Sequence, residues 1–170
     1  MKQKELTFIG VDPGLDGAIA IIDGDLITIK VMPTIIIKKG KKNKRTISHK
    51  GIKEIFEVIK GESYAIIEKQ HAMPGQGVVS MLTIGIGYGS LLQILVDFEV
   101  PFEEVRAQEW QKEFGIGKGN TKEQALDVCQ RLFPNLSLLP NRRYKKPHDG
   151  VVDALLIAEY NRRRFHLNER

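Results

Sequence analysis

The chain has 170 residues, 42% of them apolar and 28% charged, with a formal net charge of +5 and a sequence pI near 9.3. That length is one domain, able to bury a core without staples, and the mixed composition is that of a globular protein rather than a fibrous or disordered one. The single Cys129 excludes an internal disulfide, and no signal peptide or stretch of membrane-spanning length is read, so an intracellular, reducing setting without a membrane partner is expected.

The first apolar run, Leu6, Phe8, Ile9 and Val11, has apolar residues on both parities and ends at Asp12-Pro13-Gly14. It predicts a strand buried on both faces that delivers a carboxylate to a sharp turn. Asp16-Gly17 and Asp23-Gly24 then separate the runs Ala18 to Ile22 and Leu26 to Met32, which predicts an antiparallel meander of three strands. Lys38, Lys39, Lys41, Lys42, Lys44 and Arg45 follow, with no acid among them, and are read as a loop extending from the sheet. Such crowding suggests a polyanion partner, with a solvated lysine-rich loop as the rival reading.

From Ser48 the period becomes helical through Ile52, Ile55, Phe56 and Ile59, and Gly61 is a plausible stop. Tyr64 to Glu68 is a short apolar strand, again ending on a carboxylate and expected to lie parallel to the first. A loop from His71 to Gly77 leads into Val78 to Asp97, apolar nearly all round with Gly85 and Gly89 four apart. It is read as a core helix, with a subunit contact as the alternative. Val100 to Val105 supplies a last strand, and Gln108 to Phe114 a short helix. The glycine-rich stretch Gly115 to Gly119 lacks the ending of a phosphate-binding P-loop, so no nucleotide cofactor is expected. Asn120 and Glu123 have capping-box spacing at the start of a helix that stops before Pro134, and Pro147 opens a terminal helix.

That terminal helix begins Pro147-His148-Asp149-Gly150-Val151-Val152-Asp153-Ala154. A four-residue spacing puts Asp149 and Asp153 on one helix face, about 6 Å apart along the axis. With Asp12 and Glu68 at neighbouring strand ends, four acids from three distant segments can converge. The apolar run after Asp153 keeps its face near the core, where an unpaired carboxylate is costly and a divalent metal is the economical explanation.

Ile9-Gly10-Val11-Asp12-Pro13-Gly14 with Gly17-Ala18, Ala65-Ile66-Ile67-Glu68, and His148-Asp149-Gly150-Val151-Val152-Asp153-Ala154-Leu155 resemble the RuvC-like Holliday junction resolvases of the RNase H-like nuclease superfamily. The spacing of the last two acids, four rather than the three usual in bacterial RuvC, brings the chain closest to the phage and plant-chloroplast branch. The resemblance implies an α/β RNase H-like fold over residues 1–170: a mixed five-stranded sheet, antiparallel meander plus parallel strands, with helices on both faces. It implies an endonuclease that resolves four-way junctions by symmetric nicking, acting as a homodimer in the cytoplasm of a bacterium or of a phage's bacterial host. The metals would be two Mg²⁺ ions about 4 Å apart, replaceable by Mn²⁺ and held by Asp12, Glu68, Asp149 and Asp153. Lys118 and Lys122 fall where the family carries lysines that support the scissile phosphate, Lys122 being the better match and plain solvent exposure the rival reading, and His148 is placed to assist proton transfer or to serve as a structural hydrogen-bonding residue. Gln76 falls in the loop that would enter the junction core, and the basic run would grip phosphates. The alternatives are a broader branched-DNA nuclease and a junction-binding protein that does not cut. An actin-like or sugar-kinase-like phosphotransferase would need a second domain and phosphate loop.

Overall fold

The computed structural model describes residues 6–40, 42–71, 75–141 and 144–168, without the side chains of 39, 42 and 168. Strands β1 (Thr7–Asp12), β2 (Ala18–Asp23) and β3 (Leu26–Val31) form the expected meander. β4 (Thr34–Lys39) and β5 (Lys42–Ile47) come next, then α1 (His49–Phe56), β6 (Ser63–Glu68), α2 (Val78–Asp97) and β7 (Phe102–Val105). The chain continues through α3 (Ala107–Glu113), α4 (Thr121–Leu132) and α5 (Asp149–Asn168). The main sheet has the order β3-β2-β1-β6-β7, with β6 parallel to both β1 and β7, so it is mixed and five-stranded as expected.

Strand alternation sorts the core into two layers. Ile9, Val11, Ala65 and Ile67 face α1 and the C-terminal half of α2, while Phe8 and Ile66 face α3, α4 and α5. α5 lies hard against β1 because Gly10 has no Cβ: one built there would stand 2.2 Å from the Ala158 nitrogen and 2.3 Å from the Ala154 oxygen. The buried Asn161 amide donates from its Nδ2 to the carbonyls of Ile9 at 3.1 Å and Tyr64 at 2.8 Å, tying α5 to β1 and β6 together. α1 starts on Ser48, whose hydroxyl accepts from the Gly51 N–H, and ends at Phe56, short of Gly61.

The basic run is not a loop. Lys39 pairs with Lys42 across a two-residue connection in which Gly40 takes φ 63°, and Ile35, Ile36 and Ile37 pair with Thr46, Arg45 and Lys44. Three β-branched residues on one strand outweigh the lysines on the other, whose long side chains tolerate the exposed face of a two-stranded ribbon. Lys41 and the side chains of Lys39 and Lys42 lie outside the described residues.

α2 divides in two. Leu91, Ile94 and Leu95 are buried in the core, but Val78 is 77%, Leu82 63% and Ile86 60% exposed. The core-helix reading therefore holds only for the C-terminal half. Six-residue strands extend about 20 Å and a 20-residue helix about 30 Å, so the helix overhangs its sheet. By length and composition it is also apolar enough to cross a membrane, contrary to expectation, although its C-terminal half is built into this core.

Candidate active site

Asp12 and Glu68 end adjacent parallel strands. The register Gly10 to Ile66 and Val11 to Ile67 puts them side by side, and alternation turns both toward the α5 face. The first turn of α5 reaches them because of another missing side chain. A Cβ on Gly150 would stand 2.3 Å from the Asp16 oxygen and 3.0 Å from Asp12 Oδ2, so only glycine lets the helix start rest on the turn after β1. That turn is closed by Gly17, whose added Cβ would meet the Asp12 carbonyl at 2.0 Å. Asp149 and Asp153 thus arrive at Asp12 on one helix face, as their spacing predicted.

The electrostatics show the convergence. Burial, then the charges of Asp153, Glu68 and Asp149, push the Asp12 carboxyl up to about 9. Burial followed by Glu68 and Asp149 raises Asp153 to about 7, against a lowering by Lys122. Glu68 is also raised by burial, opposed by a hydrogen bond from Trp110 and by the nearby His71. Four carboxylates therefore share one partly desolvated site, an all-oxygen donor set that suits a hard divalent cation, and a cation would relieve the repulsion that now favours protons. Among the described residues, however, no three His, Cys, Asp or Glu side chains are grouped closely enough to hold an ion as they stand.

Lys122, in the first turn of α4, forms an ion pair with Asp149 and is raised by that contact. Asn120 caps α4, its Oδ1 accepting from the Glu123 N–H at 3.4 Å while its amide donates to Glu123 Oε2 at 2.9 Å, which fixes the helix start beside α5. Lys118 is exposed on the link before α4, and Gln76 is half-buried just ahead of α2; residues 72–74 of that loop lie outside the described residues. His148 caps α5 through its carbonyl, which accepts from the N–H groups of Val151 and Val152. Its ring packs edge-on to Tyr144, with centroids 6.0 Å apart, and its buried Nδ1 has no partner among the described residues. A cleft of about 540 Å³ lined by Asp16, Lys145, Lys146, His148 and Asp149 opens beside the acids. A larger groove of about 1130 Å³, lined by Phe8, Tyr64, Arg162 and His166, lies at the opposite end of the strands and has no part in this cluster.

Of the basic run, Arg45 is paired with Asp16 in the turn after β1, and Lys44 Nζ donates to Thr83 Oγ1 of α2 at 2.8 Å. These two cations lock the hairpin to the body of the domain. Lys38 is exposed. Trp110, a neighbour of the acids, was not legible as a site residue, because it lies 42 positions from Glu68; His71, three residues after Glu68, was read only as the start of a loop.

No family model matches the chain, and no curated protein does. Among solved structures, T. thermophilus RuvC in complex with Holliday junction substrate aligns with a TM-score of 0.61 at 12% identity, covering 96% of this chain and 97% of that one. The Thermus thermophilus RuvC structure aligns with a TM-score of 0.60 at 13% identity over the same shares. The chain is similar to these proteins along nearly its whole length and has the RuvC-like variant of the RNase H-like fold.

Proposed function

We propose that this protein is a metal-dependent endonuclease that resolves four-way DNA junctions, of the phage and chloroplast type of RuvC-like resolvase. The observation that carries the reading is the meeting of Asp12, Glu68, Asp149 and Asp153 at one end of the sheet, with Asp12 and Asp153 both raised by burial and by their neighbours. The likeness of the fold to a RuvC bound to a Holliday junction supports the substrate class. Asp12 and Glu68 would hold metal from the strand ends, and Asp149 and Asp153 from the helix. Two Mg²⁺ ions, or Mn²⁺ in their place, would supply Lewis-acid activation of water and charge stabilisation at the leaving 3′ oxygen when bound. Lys122, now paired with Asp149, would be freed for the scissile phosphate when a cation takes that acid, and the cleft lined by Lys145 and Lys146 would border the path of a DNA arm. His148 serves mainly as the cap of α5, its carbonyl accepting from the N–H groups of Val151 and Val152.

Resolution needs two opposed nicks, and one chain has one cluster. The reading therefore includes a homodimer joined along the exposed stripe Val78, Leu82, Gly85, Ile86 and Gly89 of α2. Gln76 lies just before this helix, where a dimer would present it to the junction centre, and the setting is the cytoplasm of a bacterium or of a phage's host.

The test is incubation with a labelled four-way junction, a Y-shaped duplex and a linear duplex, with and without Mg²⁺. Paired symmetric nicks in the four-way junction alone are expected. Equal cutting of all three would make the protein a general branched-DNA nuclease, and binding without cutting would make it a junction-recognition protein. Asp12→Asn, Glu68→Gln and Asp153→Asn should each lower cleavage by about a thousandfold or more, since several kcal/mol of charge stabilisation go with the metals. Each should keep junction affinity. Full cleavage by Asp153→Asn would remove that residue from the assignment.

A further inference from the structure

Glu68 is held by a residue that the carboxylate pattern does not include. β7 pairs beyond the end of β6, with Glu68 opposite Val105 and the Lys69 N–H donating to the Val105 carbonyl at 2.8 Å. The chain turns at Arg106, whose N–H donates to Glu109 Oε1 at 3.4 Å, and starts α3. One turn on, Trp110 comes back over the end of β6. It is fully buried, and its indole Nε1 donates to Glu68 Oε2 at 2.9 Å.

A buried indole N–H needs an acceptor, and a backbone carbonyl would satisfy it. Here the acceptor is one oxygen of an acid in the candidate metal cluster. The last torsion of a glutamate is broad, so nothing in the strand itself decides which oxygen faces Asp12. The geometry points to Trp110 as a positioning residue: its N–H engages Oε2 and thereby directs Oε1 of Glu68 to the divalent cation. This inference rests on the metal-dependent reading above. It adds that the affinity of the site is set partly by a neutral donor on α3, as hydrogen-bonded outer partners set it in other metal centres.

Trp110 is the chain's one tryptophan, so its emission is a direct reporter of the site. The full-length, metal-free protein is titrated with Mn²⁺ alone. Free Mn²⁺ is followed by electron paramagnetic resonance and Trp110 emission in parallel. Saturable quenching that tracks the bound ion is expected, and Glu68→Gln should abolish it. Trp110 is then replaced by benzothienylalanine, in which sulfur takes the place of the N–H in a ring system of nearly the same shape. Trp110→Phe is the second variant. Mn²⁺ binding, read by resonance, should weaken by about tenfold or more in both, with the circular dichroism spectrum unchanged. Because the benzothienyl ring keeps the packing, a purely structural tryptophan would leave Mn²⁺ affinity within twofold of wild type in that variant, and that result overturns the inference while leaving the metal reading intact. Absence of Mn²⁺ binding by the wild-type protein would overturn both.

Discussion

Asp12 is held half-buried among three other carboxylates, and the consequence for the metal-free protein has a definite sign. A carboxyl whose folded-state pKa lies above its unfolded value keeps its proton more tightly in the native chain, so native stability falls as pH rises between the two values. For Asp12 the window runs from 3.8 to about 9, and for Asp153 from 3.8 to about 7. Thermal unfolding in chelator should therefore show a midpoint that drops from pH 5 to pH 8. Asp12→Asn should flatten the drop and raise the midpoint at pH 8, because it deletes a charge that the fold keeps at a cost. Saturating Mg²⁺ should restore stability to the wild type and do little for the variant. A wild-type midpoint that does not change with pH or chelator would mean the four acids are not coupled. The acids themselves were legible in the sequence because each lies near the boundary of a recognisable element: Asp12 before Pro13-Gly14, Glu68 after an apolar run, and Asp149 and Asp153 one turn apart at the start of a helix. Trp110 was not, since its role depends on the β7 register opposite Glu68, a contact 42 positions away in the chain.

At the scale of elements, the β4–β5 hairpin changes what its cations are able to do. Arg45 and Lys44 are already engaged with Asp16 and Thr83. Lys38→Ala, Lys41→Ala and Lys42→Ala together should weaken junction binding and reduce the slope of log affinity against log salt by up to about 3 if all three meet phosphate. The position of the nick should not move, since backbone contacts carry no sequence information. Arg45→Ala should instead loosen the turn after β1 and lower cleavage more than binding. An unaltered salt slope in the triple variant would leave the hairpin without a role in DNA binding. The arginines at the end of α5 are poor substitutes: Arg162 and Arg163 both pair with the buried Glu159, and Arg164 pairs with Glu103. The hairpin was misread as a loop because lysines mask strand alternation, whereas the meander was legible from its Asp-Gly turns. Helix α2 was read correctly only in its C-terminal half, for a different reason. Apolar composition says that a surface is to be covered and does not say by what.

For the whole molecule, the overhanging half of α2 makes oligomeric state the quantity to measure. A Cβ at Gly89 meets nothing within 4 Å, so Gly89→Arg is tolerated by the isolated fold and obstructs only a partner. Sedimentation should show a dimer for the wild type and a monomer for Gly89→Arg, with the thermal midpoint of the monomer lowered only slightly. The variant should still nick junctions, but the two nicks should become uncoupled. A wild-type protein that remains monomeric on the junction would remove the dimer from the proposal. The sequence order of strands and helices was enough to read the sheet topology, since parallel strands joined through helices admit few alternatives. Asn161, however, binds the carbonyls of Ile9 and Tyr64 together, so the alignment of β1 with β6 is pinned from the far side of the core. A single-residue insertion between Ile9 and Asp12, or between Tyr64 and Glu68, would leave that pin in place and turn one of the two strand-end acids toward α1 and α2. The alignment of the two candidate metal-binding acids is therefore set by the strand register itself, and a shift of one residue in either strand separates them across the sheet.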